Sequence, residues 1–140
     1  MNSGSSQFNQ AEITTLRKKI RDYNRSDMKR GRLKYCVSFK QYCEQELELD
    51  QVVQLIQRDG MVCYLCEKPV LLEYHKRYQG NQFTLDRIDN KKSHRIDNCR
   101  VCCFTCNILR ANEYTPDEFT WHFKLRGSSG SSPCTQPHHK

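Results

Sequence analysis

Two C-x-x-C pairs, Cys63/Cys66 and Cys103/Cys106, frame the middle of this chain and constrain its fold more than any other feature. Each pair can close a knuckle that puts two thiolates on one side of a tetrahedral zinc ion, with sulfur about 2.3 Å from the metal. Four such ligands tie two distant segments to one point. That matters in a chain of 140 residues, which has room for one domain with a modest core. Cys99/Cys102 is a third C-x-x-C that overlaps the second pair, so spacing alone leaves the register open.

Metal is favoured over disulfides by context. Met1 to Gln10 has no positive segment leading into an apolar run, so no secretory signal is expected. The expected compartment is intracellular and reducing, cytoplasm or nucleus, where clustered cysteines bind metal. Cys36, Cys43 and Cys134 are expected to be free thiols. No apolar run is long enough to span a membrane, and no membrane partner is expected.

The net charge is +7 and unevenly placed. Among the first 35 residues, nine Lys/Arg stand against three Asp/Glu, leaving only +1 for the rest. From Ala11, the spacing of Ile13, Leu16, Ile20 and Tyr23 predicts an amphipathic helix with basic residues between, ending before Gly31. Arg17, Lys18, Arg21, Arg25, Lys29 and Arg30 on such a helix point to a polyanion partner, DNA in particular.

The remaining pattern is mixed. Residues 1–10, rich in Ser, Gly, Asn and Gln, are expected to be disordered. Residues 38–48 suggest a second helix. Asp50 is the expected N-cap of a third, with Val52, Val53, Leu55 and Ile56 buried and Asp59-Gly60 ending it. Pro69 to Leu72 predicts a short strand, as do Phe83 to Ile88 and Asn98 to Cys102, joined by turn residues at Asp89 to Ser93. Phe104, Ile108 and Leu109 predict a helix. Thr115 to Glu118 is a capping box with proline at the first helical position, opening a last helix with Phe119, Trp121 and Phe123. Residues 127–140, rich in Ser, Gly and Pro, are expected to be a disordered tail.

The segment Leu85-Asp86-Arg87-Ile88-Asp89-Asn90, then His94, Asp97-Asn98 and Cys103-x-x-Cys106-Asn107, resembles the HNH, or ββα-metal, nuclease family in its zinc-braced form. The match covers Cys63 to Asn107 and favours the Cys103/Cys106 register, with the final cysteine opening a helix directly before Asn107. Cys102 would then be a small buried apolar residue. The resemblance implies an α+β fold: a small zinc-stabilised ββα-metal (HNH/treble-clef-like) core with flanking helices. Residues 11–35 would be a basic helical arm, 36–126 the nuclease domain and 127–140 the tail.

By the same resemblance, Asp86 and Asn107 would hold a catalytic Mg²⁺ or Mn²⁺, beside a structural Zn²⁺ on Cys63, Cys66, Cys103 and Cys106. Asn98 would bond backbone and pin the loop between the strands. The usual first histidine is replaced by Arg87. Arginine stays protonated and is no ordinary base, so a bidentate clamp on the scissile phosphate is the role expected of it. The general base is left among His75, His94, Tyr74 and Tyr78, with His75 ranked first. The function implied is metal-dependent endonucleolytic cleavage or nicking of DNA. The alternative is a catalytically inactive zinc-braced nucleic-acid-binding module. A lone site of this kind cuts one strand, and no dimer signature settles monomer or homodimer.

Overall fold

The computed structural model describes residues 7–43, 45–110 and 115–119. The expected 127–140 tail, Cys134, Trp121 and Phe123 lie outside the described residues, as do residues 1–6. The order is α1 (Gln10–Lys34), α2 (Phe39–Cys43), α3 (Leu49–Asp59), β1 (Phe83–Arg87), β2 (Cys99–Cys103), α4 (Phe104–Arg110) and α5 (Pro116–Phe119). The protein is therefore α+β, with one small antiparallel sheet among the described residues. No helix among them is long and apolar enough to cross a membrane.

Helix α1 begins earlier and ends later than its apolar spacing predicts. Asn9 caps it: its side chain accepts from the Glu12 N–H at 2.8 Å, and Glu12 returns a bond to the Asn9 N–H at 3.0 Å. Ordered structure thus begins inside the segment expected to be disordered. At the other end the helix runs through Gly31. A Cβ there would sit 3.0 Å from the Cβ of Tyr42, so glycine serves close approach of α2, not helix termination. The inward face of α1 changes character along its length. Ile13, Leu16 and Ile20 are apolar and buried; one turn on, the same face presents Tyr23, then buried Asp27 and Gly31. That switch is why the apolar count stops short of the true helix end.

Helix α2 is shorter than expected. Ser38 and Gln41 exchange capping bonds at its start, and Asn24 of α1 bonds both backbone groups of Leu47 at 3.0 Å. Leu47 is thereby held outside the helix, which ends at Cys43 instead of running on to residue 48. Helix α3 starts at Leu49, one residue before the expected cap. Glu48 occupies the N-cap, its N–H bonded to Gln51 at 3.0 Å. Gly60 ends α3 at φ 85°, a conformation that favours glycine.

Strands β1 and β2 pair in the register Phe83↔Cys103, Leu85↔Val101 and Arg87↔Cys99. Leu16, Ile20, Val52, Leu55, Ile56, Phe83, Leu85 and Val101 join one buried cluster, which places α1 and α3 on the hairpin. The strand expected at Pro69 to Leu72 reduces to two isolated bridges, Val62↔Pro69 and Leu71↔Gln82. A run this short, bounded by Pro69 and carrying an exposed Leu71, has no partner strand long enough among the described residues to extend it.

Candidate functional site

The first cysteine pair lies on the turn after α3, and the second spans the end of β2 and the first turn of α4. The Cys66 and Cys106 N–H groups point at the Cys63 and Cys103 sulfurs, at 3.5 and 3.3 Å, as knuckles require. Glu67 takes a left-handed φ of 67° to turn the chain out of the first knuckle. The Tyr64 N–H bonds the Val101 carbonyl at 2.9 Å and docks this knuckle on β2. All four Sγ atoms lie within 4.8 Å of one another, and three of the four residues are buried. Ligands 2.3 Å from a tetrahedral zinc stand about 3.8 Å apart, so the set fits structural Zn²⁺. Cys99 is not in the cluster. Cys102 is buried with its sulfur 3.9 Å from that of Cys63, but lies outside the four-ligand set.

Asp86 is turned inward, beneath α4. Thr84 and Asp86 alternate onto the same face of β1, and α4 lies across them. Asn107 Nδ2 donates to Thr84 Oγ1 at 3.0 Å and to the Leu85 carbonyl at 3.4 Å. Arg110, three residues further and on the same helix face, forks onto Asp86: Nε to Oδ2 at 2.8 Å and Nη2 to Oδ1 at 2.7 Å. Nη2 also donates to the Arg87 carbonyl. The Tyr64 hydroxyl donates to Asp86 Oδ2 at 2.6 Å. Burial, then the charge of Asp86, pushes this phenol well above its ordinary range, so Tyr64 stays a donor. Arg110 is 0% exposed and Asp86 is 4% exposed.

Asp86 and Asn107 therefore meet at one interface, but not around a shared opening. Three donors already engage the carboxylate, and the Asn107 amide nitrogen is turned onto β1. As they stand, the two side chains do not fit the divalent ion that the HNH resemblance implies. They close the outer edge of β1 instead. There the Phe83 N–H bonds Leu71, the Leu85 N–H bonds the Tyr23 hydroxyl, and the Leu85 and Arg87 carbonyls take Asn107 and Arg110.

No family model, curated protein or solved structure matches this chain.

The other candidates take up structural bonds or stand at the surface. Asn98 accepts from the Asp89 N–H at 2.9 Å and donates to the Asp89 and Ser93 carbonyls at 3.1 and 2.9 Å, which pins the loop between the strands. Arg87 does not stand clear as a phosphate clamp: Nη1 donates to the Asn90 and Lys92 carbonyls at 2.8 and 2.9 Å. His94 is buried. Its backbone N–H reaches Asp27 Oδ2 at 2.8 Å, its Nδ1 lies 3.0 Å from Asp27 Oδ1, and its ring stacks on Tyr23 with centroids 4.5 Å apart. His75 is exposed, in the turn-rich stretch before β1. Tyr74 lies under Lys19, and exposed Tyr78 packs on Phe104.

Helix α1 is tied to the hairpin by three residues spaced four apart. Lys19 bonds Gln82 at 3.0 Å, Tyr23 bonds Leu85, and Asp27 bonds His94. Asp27 also takes Arg30 at 2.7 Å. Burial works against its ionisation, but the bonds from His94 and the nearby Arg30 hold its carboxyl below the ordinary range. Lys18 is paired with Asp22 at 3.0 Å. Of the six cations expected to meet nucleic acid, Arg17, Arg21, Arg25 and Lys29 are left exposed, with no ion pair among the described residues.

Sequence reasoning missed Arg110, Tyr64, Tyr23 and Asp27. Arg110 had a readable signal, since a residue three beyond Asn107 shares its helix face. Tyr64 had a weaker one, its place inside the first knuckle. Tyr23 and Asp27 act across more than 60 residues of chain, and no local pattern announces that.

Proposed function

We propose that this protein acts on nucleic acid as a zinc-braced, divalent-ion-dependent nuclease of the HNH sort, hydrolysing phosphodiester bonds in DNA. The observation that carries the reading is the β1–loop–β2–α4 unit. It has Asp86 on the first strand, Asn98 pinning the loop and Asn107 at the helix start, and the four-cysteine cluster braces it. The Tyr64–Asp86 bond links the metal knuckle directly to the carboxylate, so the staple would also position Asp86.

DNA would be held along the outer face of α1. Arg17, Arg21, Arg25 and Lys29 recur every four residues, about 6 Å apart along the helix. Like charges at that spacing cost a helix about 0.2–0.5 kcal/mol per pair, a cost that a phosphate backbone removes. Such contacts give affinity and register without reading sequence.

A second reading has its own observation. Asp86 is already neutralised by Arg110, which favours a zinc-braced module that binds nucleic acid without cutting it. One assay separates the two: supercoiled plasmid with Mg²⁺ or Mn²⁺, wild type beside Asp86→Asn and Asn107→Ala, each checked for fold by circular dichroism. Nicking by wild type and its loss in both folded variants supports the nuclease. DNA retention without nicking on supercoiled, linear and single-stranded forms supports the binding module.

A further inference from the structure

Asp86 is the one carboxylate that the nuclease reading asks to hold a divalent ion, and the chain supplies it with a cation of its own. We propose that Arg110 is a latch on Asp86: a divalent ion reaches this carboxylate only by displacing the guanidinium. The inference rests on the nuclease reading and names how that same site would be regulated.

Three features carry it. The first is occupancy. A carboxylate offers about four lone-pair positions. Three are taken here, by Arg110 Nη2 on Oδ1 and by Arg110 Nε and Tyr64 Oη on Oδ2. The fork is bidentate, the arrangement in which arginine matches a carboxylate best. The second is exclusion. A guanidinium 2.7 Å from Oδ1 and a dication on the same oxygens would repel strongly in a buried setting. Occupancy is therefore competitive rather than additive.

The third is that the latch has somewhere to go. Arg110 Nη2 also donates to the Arg87 carbonyl and lies 3.4 Å from Asn90 Oδ1, both at the start of the loop. A guanidinium that releases Asp86 keeps acceptors on the loop side and is not stranded without partners. Asn107 is not part of the latch. Its amide nitrogen bonds Thr84 and Leu85, so the same helix stays docked on β1 when Arg110 moves.

The test uses the full chain loaded with zinc and follows free Mn²⁺ by electron paramagnetic resonance during titration. The forms compared are wild type, Arg110→Gln, Arg110→Lys and each variant combined with Asp86→Asn. Arg110→Gln should bind Mn²⁺ at least about tenfold more tightly than wild type, since a neutral side chain no longer competes for the carboxylate. Arg110→Lys, which keeps the charge but loses the fork, should fall between them. Asp86→Asn should remove the gain in both. Equal Mn²⁺ affinity in wild type and Arg110→Gln overturns the latch. If Arg110→Gln does not fold, Arg110→Lys decides: tighter binding than wild type supports the latch and equal binding overturns it. Plasmid nicking on the same samples keeps the two ideas apart. Equal affinities with nicking defeat the latch and leave the nuclease. Tighter, Asp86-dependent binding in the variants with no nicking by any form supports the latch and defeats the nuclease. No Mn²⁺ binding by any form defeats both.

Discussion

The hairpin carries two buried polar clusters that look alike in sequence, each being a set of potential metal ligands, and differ in what they lack. At the four cysteines, every sulfur converges on one centre, and backbone N–H groups point at two of them. At Asp86, the carboxylate has already been given a guanidinium and a phenol. A cluster of thiolates converging on one point asks for a cation, while a carboxylate with a forked arginine does not. Ligand type and spacing alone cannot tell these cases apart. The neighbours decide, and in this protein the deciding neighbour, Arg110, lies just beyond the motif.

The sharpest way to break that comparison is to remove zinc. Without the ion the cysteine cluster loses the bond that would join the two knuckles, and structural zinc supplies folding free energy outright. Chelation at neutral pH, or Cys106→Ser, should abolish the cooperative thermal transition and most of the near-ultraviolet circular dichroism. Retention of both after the metal is stripped would remove the distinction between the two clusters.

Truncating the second cluster should do less. Arg110→Ala leaves Asp86 buried and uncompensated, which typically costs about 3–5 kcal/mol. Denaturant unfolding should show this loss with zinc still bound, measured by metal analysis. A cost below about 1 kcal/mol, the range of solvent-exposed pairs, would mean that the pair is more solvated than its burial implies.

A third, smaller effect concerns the joint between α1 and the loop. The Asp27 carboxyl is held below its ordinary value of 3.8, so its contribution is complete above that value and lost as pH falls through the lower folded-state pKa. Melting temperature should therefore fall in acid more steeply for wild type than for Asp27→Asn, with the difference confined to the acid side of about pH 5. Parallel curves would detach Asp27 from the stability of this joint.

The smallest effect on stability should come from the outer face of α1, where changes to exposed residues usually stay within about 0.5 kcal/mol. Replacing Arg17, Arg21, Arg25 and Lys29 with glutamine should leave the melt nearly unchanged. It should reduce the slope of log K against log salt for DNA by about 3.6 on duplex or about 2.8 on single strands, counting four phosphate contacts. An unchanged slope would place the nucleic acid elsewhere.

How much of this was legible depended on the range of the interaction. The first knuckle, the β1–β2 hairpin and the Thr115 capping box are local, and residue type with spacing of a few positions carries them, whereas the register of the second knuckle and the Asn98 loop pin came only with the HNH resemblance. The limits of α1 escape the apolar pattern because its inward face turns polar at Tyr23 and Asp27, which pack on β1 and His94 rather than on an apolar core. For the same reason the helix reads as a separate basic arm, although Lys19, Tyr23 and Asp27 fasten it to the hairpin. Arg87 and His94 read as chemistry because they are the residue types that chemistry uses. In the folded chain Arg87 bonds loop carbonyls and His94 bonds Asp27.

If the hairpin holds one structural metal on its thiols while its buried carboxylate is served by arginine, metal content should report both facts at once. The direct measurement is metal analysis after equilibration with Zn²⁺ and low, near-stoichiometric Mn²⁺. One zinc per chain is expected, lost in Cys106→Ser and kept in Asp86→Asn, with no stoichiometric Mn²⁺ on wild type. A fully folded protein without zinc, or one equivalent of Mn²⁺ that wild type binds and Asp86→Asn does not, would contradict it.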